Sequence, residues 1–363
     1  MFQKRVLTAV LITASLGSVS CASEGGGTGA ATVSSVETAA YSAADGDTTD
    51  GHYPVVIGNC GRELVIMESP QRVVSLNQGM TEILLSMGME DRMVGTATWM
   101  DPVLPHLAEA NEGVPRLSDN NPSFQTVLAT DPDFIVASFN SVLADVASGS
   151  VERYAEEGLP VYVSYTECAK SRTSGLDDGE RSEKMMMDDI YQDIRDLGNI
   201  FDEVEAANQL IDDLDVRLNE VGSANGATLF ALGEETSVAF WFSADTAPYV
   251  AGGYGAAQII ADKLDLQNVY EDSTLEWPQV SWEEVAEKNP DVLILGDLSR
   301  RWETVETGAE KVAFLKNHPV TREMDAVKNE RFIFLSGGGM DPTIRLVDGV
   351  EKVSAGLDEL GLR

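Results

Sequence analysis

Ser123-Phe124-Gln125-Thr126-Val127-Leu128-Ala129-Thr130-Asp131-Pro132-Asp133-Phe134-Ile135-Val136-Ala137 returns 158 residues later, without a gap, as Ser281-Trp282-Glu283-Glu284-Val285-Ala286-Glu287-Lys288-Asn289-Pro290-Asp291-Val292-Leu293-Ile294-Leu295. Each copy opens on Ser and a large aromatic, runs through a short amphipathic stretch and meets Asp/Asn-Pro-Asp before an apolar run. Proline lacks an N–H and disfavours helix in the residue before it, so a helix stops there and a strand begins. The same helix-stop-strand phrase in each half indicates two α/β lobes related by approximate duplication. Two such lobes leave a cleft between them, the usual seat of a small molecule.

Outside the duplicated core, the first 20 residues read as a secretion signal. Lys4 and Arg5 form a basic start, and Val6 to Leu16 an apolar run too short to span a bilayer. Cys21 follows the small residues Ser18-Val19-Ser20, an arrangement that resembles a bacterial lipoprotein signal with Cys21 lipidated; an ordinary signal peptide cleaved nearby is the alternative. Residues 21–52 lack the large apolar side chains needed to offset ordering entropy and are expected to be a flexible linker. The formal net charge is −35 and becomes −37 once Lys4 and Arg5 are lost, a surface that repels nucleic acid and anionic lipid headgroups. With Cys21 lipidated, Cys60 and Cys168 remain as a pair in an oxidising compartment, and a disulfide between them is expected; two unrelated buried thiols are the alternative.

The remaining chain, roughly 310 residues, suffices for two lobes. Residues 53–184 form the expected N-terminal lobe: a hairpin over Tyr53 to Glu68, then strands at Arg72–Leu76, Arg92–Thr96, Phe134–Ser138 and Val161–Ser164. Met80, Ile83, Leu84 and Met87 recur at helical spacing as a core-facing stripe, which turns Glu82 elsewhere and, on this reading, into solvent. Residues 185–221 carry the longest helical pattern and are expected to form a single bridging helix. Residues 222–363 form the expected C-terminal lobe, with strands over Ala227–Ala231, Val238–Phe242, Val292–Leu295 and Arg331–Leu335 and a last helix from Thr343 to Leu360.

Common catalytic signals are absent. There is no Gly-x-Ser-x-Gly elbow, P-loop or His-Glu-x-x-His, and Gly253-Tyr254-Gly255 lacks the third glycine of a dinucleotide fingerprint. His52, His106 and His318 are too scattered to build a triad or a zinc site, so no metal site is expected. What remains lies after the strands, where open α/β sheets bind ligands. The candidate ligand-binding residues are Asn77, Gln78, Trp99, Asp101, Phe139, Tyr165, Trp241, Tyr249, Trp277, Trp302 and Arg345, with Met80, Met100, Asn140, Phe242, Tyr254, Asp297 and Met340 in the wider set. Aromatic and thioether walls suit a large organic ligand better than a bare ion. For any one of these residues, core packing is an equal alternative.

Pro70-Gln71-Arg72-Val73-Val74-Ser75-Leu76, Thr81-Glu82-Ile83-Leu84, Leu85-Ser86-Met87-Gly88 and Asp91-Arg92-Met93-Val94-Gly95 resemble the opening of the iron-siderophore/cobalamin-type substrate-binding proteins of ABC importers. Pro132-Asp133, Asn289-Pro290-Asp291 and Ala326 to Phe332 match later signatures in order, so the resemblance runs from about Tyr53 to the C-terminus. It implies an α/β fold of two Rossmann-like lobes bridged by one long helix, with the ligand cleft between the lobes. It further implies a lipid-anchored, extracytoplasmic protein at the cell membrane, expected to be a monomer and not an enzyme, with no cofactor. Such a protein captures a small-molecule iron chelate, a ferric siderophore, and delivers it to an ABC permease and its ATPase; cobalamin and haem are the alternatives within the family. In that family an acid on each lobe docks on the permease: Glu82 fits the first, while Gln258-Ile259 stand where the second is expected. From another class, a secreted hydrolase using Asp101 or Asp297 remains open, provided two acids face each other across the cleft.

Overall fold

The computed structural model describes residues 52–171, 179–225, 236–299 and 304–362. The signal segment, Cys21, the linker, the strand expected over Ala227–Ala231 and Trp302 lie outside the described residues.

Both copies of the duplicated phrase form the same device. Ser123 and Ser281 cap the helices Phe124–Leu128 and Trp282–Lys288, each hydroxyl accepting the N–H three residues on, from Thr126 and Glu284. Asp131 and Asn289 before the prolines take left-handed backbone, with φ 53° and 41°, a conformation Asp and Asn tolerate better than most residues. The aspartate after each proline then anchors the neighbouring strand. Asp133 accepts from the N–H groups of Gln71 and Arg72 at 2.8 and 2.9 Å, and Asp291 from the Ser237 N–H and hydroxyl at 3.0 and 2.7 Å.

The strands so aligned build one sheet per lobe. The hairpin β1 (Val55–Asn59) and β2 (Arg62–Ile66) precedes β3 (Val73–Ser75), β4 (Met93–Thr96), β5 (Phe134–Ala137) and β6 (Val161–Val163), and the first sheet is parallel in the order β4-β3-β5-β6. A short ribbon, β7 (Lys170–Ser171) with β8 (Glu180–Arg181), follows. The second sheet joins β9 (Ser237–Ser243), β10 (Tyr249–Val250), β11 (Gln267–Asn268), β12 (Val292–Gly296) and β13 (Phe332–Leu335) in the order β10-β9-β12-β13, with β11 also on β9. In each sheet the chain reverses direction of travel beside the strand that receives the Pro-Asp anchor, which places a topological switch point at the carboxyl ends of β3/β5 and of β9/β12.

The bridge departs from the expected single helix. It consists of two helices, Met187–Phe201 and Val204–Asn225, separated where Asp202 adopts φ 59°. They fold back on each other: the Tyr191 hydroxyl donates to Asp215 at 2.7 Å, and a Cβ on Gly198 would lie 2.5 Å from that of Ala207. A straight helix over 185–221 would reach about 55 Å, whereas the hairpin packs its first arm on one lobe and its second on the other. On the first arm Asp193 accepts from the Tyr162 hydroxyl at 2.8 Å and the Tyr165 N–H at 2.6 Å, and burial pushes its carboxyl up to about 7. On the second, Arg217 holds Glu351 of the last helix, Leu346–Glu359, at 2.8 Å. One hydrophobic core runs through both lobes, from Ile83 and Phe134 by way of Ile194 and Leu214 to Ile260 and Val350.

Cys60 and Cys168 are joined, tying the β1–β2 turn to the helix that follows β6. The adjacent Asn59 pairs with both backbone groups of Val163, at 2.7 and 3.0 Å, and so closes the edge of the first sheet. Closing a loop of 108 residues stabilises by about 4–5 kcal/mol in the chain-entropy account. The double variant Cys60→Ser/Cys168→Ser is expected to lose stability on that scale in urea unfolding, and both thiols of the native, unreduced protein should resist alkylation.

Candidate functional site

The two switch points face each other across a cleft of about 280 Å³. On the N-terminal side β3 ends at Ser75, and Asn77 precedes the helix Gln78–Ser86. The Asn77 side-chain oxygen Oδ1 accepts the Ser138 N–H at 2.9 Å, fastening the end of β3 to the end of β5. The Gln78 side-chain oxygen Oε1 accepts the N–H groups of Met100 and Asp101, both at 3.0 Å, which fixes the loop after β4. Its amide nitrogen donates to Glu82 at 3.1 Å.

Charge is neutralised between the lobes. Glu82 is fully buried and accepts two bonds from Arg345, at 2.6 Å from Nε and 2.5 Å from Nη2, as well as the Leu104 N–H at 3.1 Å. Burial works against the Arg345 charge, but the bonds to Glu82 outweigh it and raise the guanidinium pKa. Asp101 adds its field 3.9 Å from Arg345 and accepts the Gly338 N–H at 2.9 Å. A second cluster closes the other side. Lys170 bridges Glu167 at 2.5 Å and Glu276 at 2.7 Å, and Arg181 reaches Glu276 at 3.1 Å. Burial alone would push the Glu276 carboxyl up; the charges of Lys170 and Arg181 hold it below its ordinary value of 4.5.

The walls are apolar. Phe139, Met100 and Val142 line one side and Phe242 and Trp277 the other, the last two with ring centroids 4.9 Å apart. Of the residues expected from sequence, Asn77, Gln78, Phe139, Trp277 and Arg345 line the cleft, and Asp101 stands just behind Arg345. The others lie elsewhere. Trp99 is buried with Arg116 over its ring at 4.8 Å, and Trp241 packs edge-on against Trp282 at 4.7 Å in the core of the second lobe. Strand alternation explains the latter: Phe242, one residue on, takes the opposite face and meets the cleft. Tyr249 sits on the edge strand β10, and Tyr165 is 41% exposed outside the cleft. Lys170, Glu276, Asn121, Ser141 and Thr343 line the cleft without having been expected. Glu276 and Ser141 had local pointers, their neighbours Trp277 and Asn140. Among the described residues no group of acids, histidines and cysteines is arranged to hold a metal ion.

The expectation of a solvent-facing Glu82 is corrected. The helix stripe does bury Met80, Ile83, Leu84 and Met87, but the face carrying Glu82 meets the second lobe instead of water. Gln258 is likewise buried, bonded to Asp262 and Asn268.

Removing one partner of a buried pair strands the other, so Glu82→Ala should cost about 3–5 kcal/mol in urea unfolding; an unchanged midpoint would contradict the cross-lobe pairing. Glu276 titrates with the opposite emphasis. Its contribution is full above its unfolded pKa and is lost as pH falls through the depressed folded value. Glu276→Gln should therefore be less stable than the parent at pH ~7, with the gap narrowing below pH ~4.5; a gap independent of pH would show that Glu276 is not ionised in the fold.

Four likenesses bear on this geometry. An ABC transporter substrate-binding lipoprotein of Bacillus subtilis, YvrC, itself uncharacterised, is 22% identical over 83% of this chain and 85% of its own length. A vitamin B12-binding protein of Pectobacterium atrosepticum is 26% identical over 63% of this chain and 73% of its own. Among solved structures, a periplasmic binding protein of Veillonella parvula superposes with a TM-score of 0.70 at 21% identity, covering 84% of this chain and 97% of that one. An Fe3+-hydroxamate transport protein of Saccharomonospora viridis superposes at 0.68 and 23% identity, covering 84% and 99%. No helix among the described residues is long and apolar enough to cross a membrane. The periplasmic binding protein family itself matches residues 73–337, most of both lobes and most of the residues that line the cleft between them, and the chain belongs to that family.

Proposed function

We propose that the protein is the ligand-capturing component of an ABC importer and that its cargo is a ferric siderophore of the neutral or cationic kind, such as a trihydroxamate. It hands this cargo to a permease driven by an ATPase, and Cys21 anchors it to the membrane by lipid. The observation that carries the reading is the chemistry of the cleft: aromatic walls, an amide floor, and two cations, Lys170 and Arg345, each already met by acids. An anionic tris-catecholate needs several Arg or Lys to offset its charge, and here those charges are committed. Haem iron calls for an axial His, Tyr, Cys or Met, and of these only Met100 lines the cleft among the described residues. Cobalamin, an amide-rich chelate, suits the same floor and is the second reading. A hydrolase is poorly supported, because Asp101 is bound to the Gly338 N–H and Asp297 to the Gly308 N–H at 2.8 Å.

The cleft volume of about 280 Å³ lies near the lower limit for ligand pockets, which run ~300–1,000 Å³, so on this reading the lobes part to admit the chelate. The test is a titration of the mature protein with a ferric trihydroxamate, a ferric tris-catecholate, cyanocobalamin and haemin, followed by tryptophan fluorescence, to which Trp277 contributes. Saturable one-to-one binding of the trihydroxamate without turnover is expected. Tighter binding of the tris-catecholate would overturn the charge argument.

A further inference from the structure

Asparagine at a helix N-cap ordinarily turns its side-chain oxygen onto the N–H of the second or third helical residue. Asn77 does not: it makes no side-chain cap, because its oxygen is spent on the Ser138 N–H at 2.9 Å. That bond also fixes the amide, since a flipped group would set two donors against each other. The Asn77 Nδ2 is thereby directed away from Ser138, in a residue 2% exposed that lines the cleft, and it makes no hydrogen bond among the described residues.

The helix it precedes, Gln78–Ser86, is equally unfinished. Its first turn holds no acid, and Glu82 beyond it is neutralised by Arg345. Among the described residues the N–H groups of Gln78, Met80 and Thr81 are taken by Thr98 O, Ser138 Oγ and Asn77 O, which leaves that of Gly79. Gly79 also lines the cleft, where a Cβ would lie 2.7 Å from Thr343 Cγ2. A buried amide donor without an acceptor is costly to the ligand-free protein, and an open helix N-terminus favours an electron-rich oxygen.

Resting on the reading of the cleft as a chelate site, we propose that Asn77 Nδ2 and the Gly79 N–H form an oxygen-acceptor subsite, in which a carbonyl or carboxylate oxygen of the bound chelate completes the cap of this helix. The subsite selects for chelates that present such an oxygen at the inner end of the molecule. Arg345 and Lys170 take no part in it, so it adds specificity without demanding a charged ligand.

The experiment compares the parent with Asn77→Asp, which keeps an oxygen for the Ser138 N–H and removes the Nδ2 donor while leaving the Gly79 N–H in place. Binding is measured for a ferric trihydroxamate, whose free acceptors are carbonyls, and for a carboxylate-bearing ferric chelate. Loss of one buried donor should weaken binding about tenfold or more, and more for the carboxylate, with the cooperative unfolding transition retained. The Asn77 side-chain amide signal, assigned by its absence in the variant, should shift downfield when the parent is titrated with the diamagnetic gallium form of the chelate, which spares the signal the broadening that ferric iron causes; a purely structural Asn77 would leave it in place. A response to the carboxylate chelate alone identifies the acceptor as a carboxylate. Equal affinity of parent and variant, with an unmoved amide signal, overturns the subsite while the chelate reading stands. A parent that binds neither chelate overturns that reading and the subsite with it.

Discussion

Glu82 is a carboxylate that folding removes from water, and everything around it follows from that. A lone buried charge is prohibitively unfavourable, so it survives only with a partner of opposite sign and hydrogen bonds to its remaining lone pairs. Arg345 supplies the first and Gln78 and Leu104 the second. The partners come from both lobes, and the requirement to satisfy one side chain therefore sets the distance between two domains. Gln78 transmits the constraint to Met100 and Asp101, Asp101 to Gly338, and the floor of the cleft becomes one connected polar network. Such networks stiffen when every member is satisfied.

Duplication explains the frame and departure from it explains the site. Both lobes use Ser-capped helices and Pro-Asp strand anchors at equivalent places, and in both the aromatic after the serine packs into the lobe's own core. The strand ends differ. After β5 the chain presents Ser138 and Phe139, which staple and line the cleft, whereas after β12 it presents Asp297, which accepts from Gly308 and starts another helix. A common scaffold with unlike loops gives a cleft with an amide floor on one side and an aromatic pair on the other.

What could be read in the sequence was local. The Pro-Asp phrase, the stripe of Met80, Ile83, Leu84 and Met87, and the hairpin at Tyr53–Glu68 are each decided by neighbours a few residues away, and each reading agrees with the fold. The cleft was half legible for the same reason: Asn77 and Phe139 follow strands, and that position alone marks them. Glu82 was not, because Arg345 stands 263 residues along the chain and no periodicity reveals whether a polar face meets water or another lobe. Lys170 and Glu276 escaped by the same logic, since their pairing exists only across the cleft. The bridge misled in a different way. Apolar spacing continues through residues 185–221, and nothing in it marks Asp202 as the residue that would turn left-handed.

The short ribbon β7–β8 links the lobes a second time. It leaves the first lobe beside the disulfide and meets the second where the Arg181 N–H donates to Thr274 at 3.0 Å. The helical hairpin makes its own attachment at Arg217 and Glu351. Each such attachment adds to the ties already made across the cleft by Glu82 with Arg345 and Asp101 with Gly338. The more ties there are, the fewer relative placements of the lobes are open to the ligand-free protein, and the less orientational freedom is left for a ligand to remove.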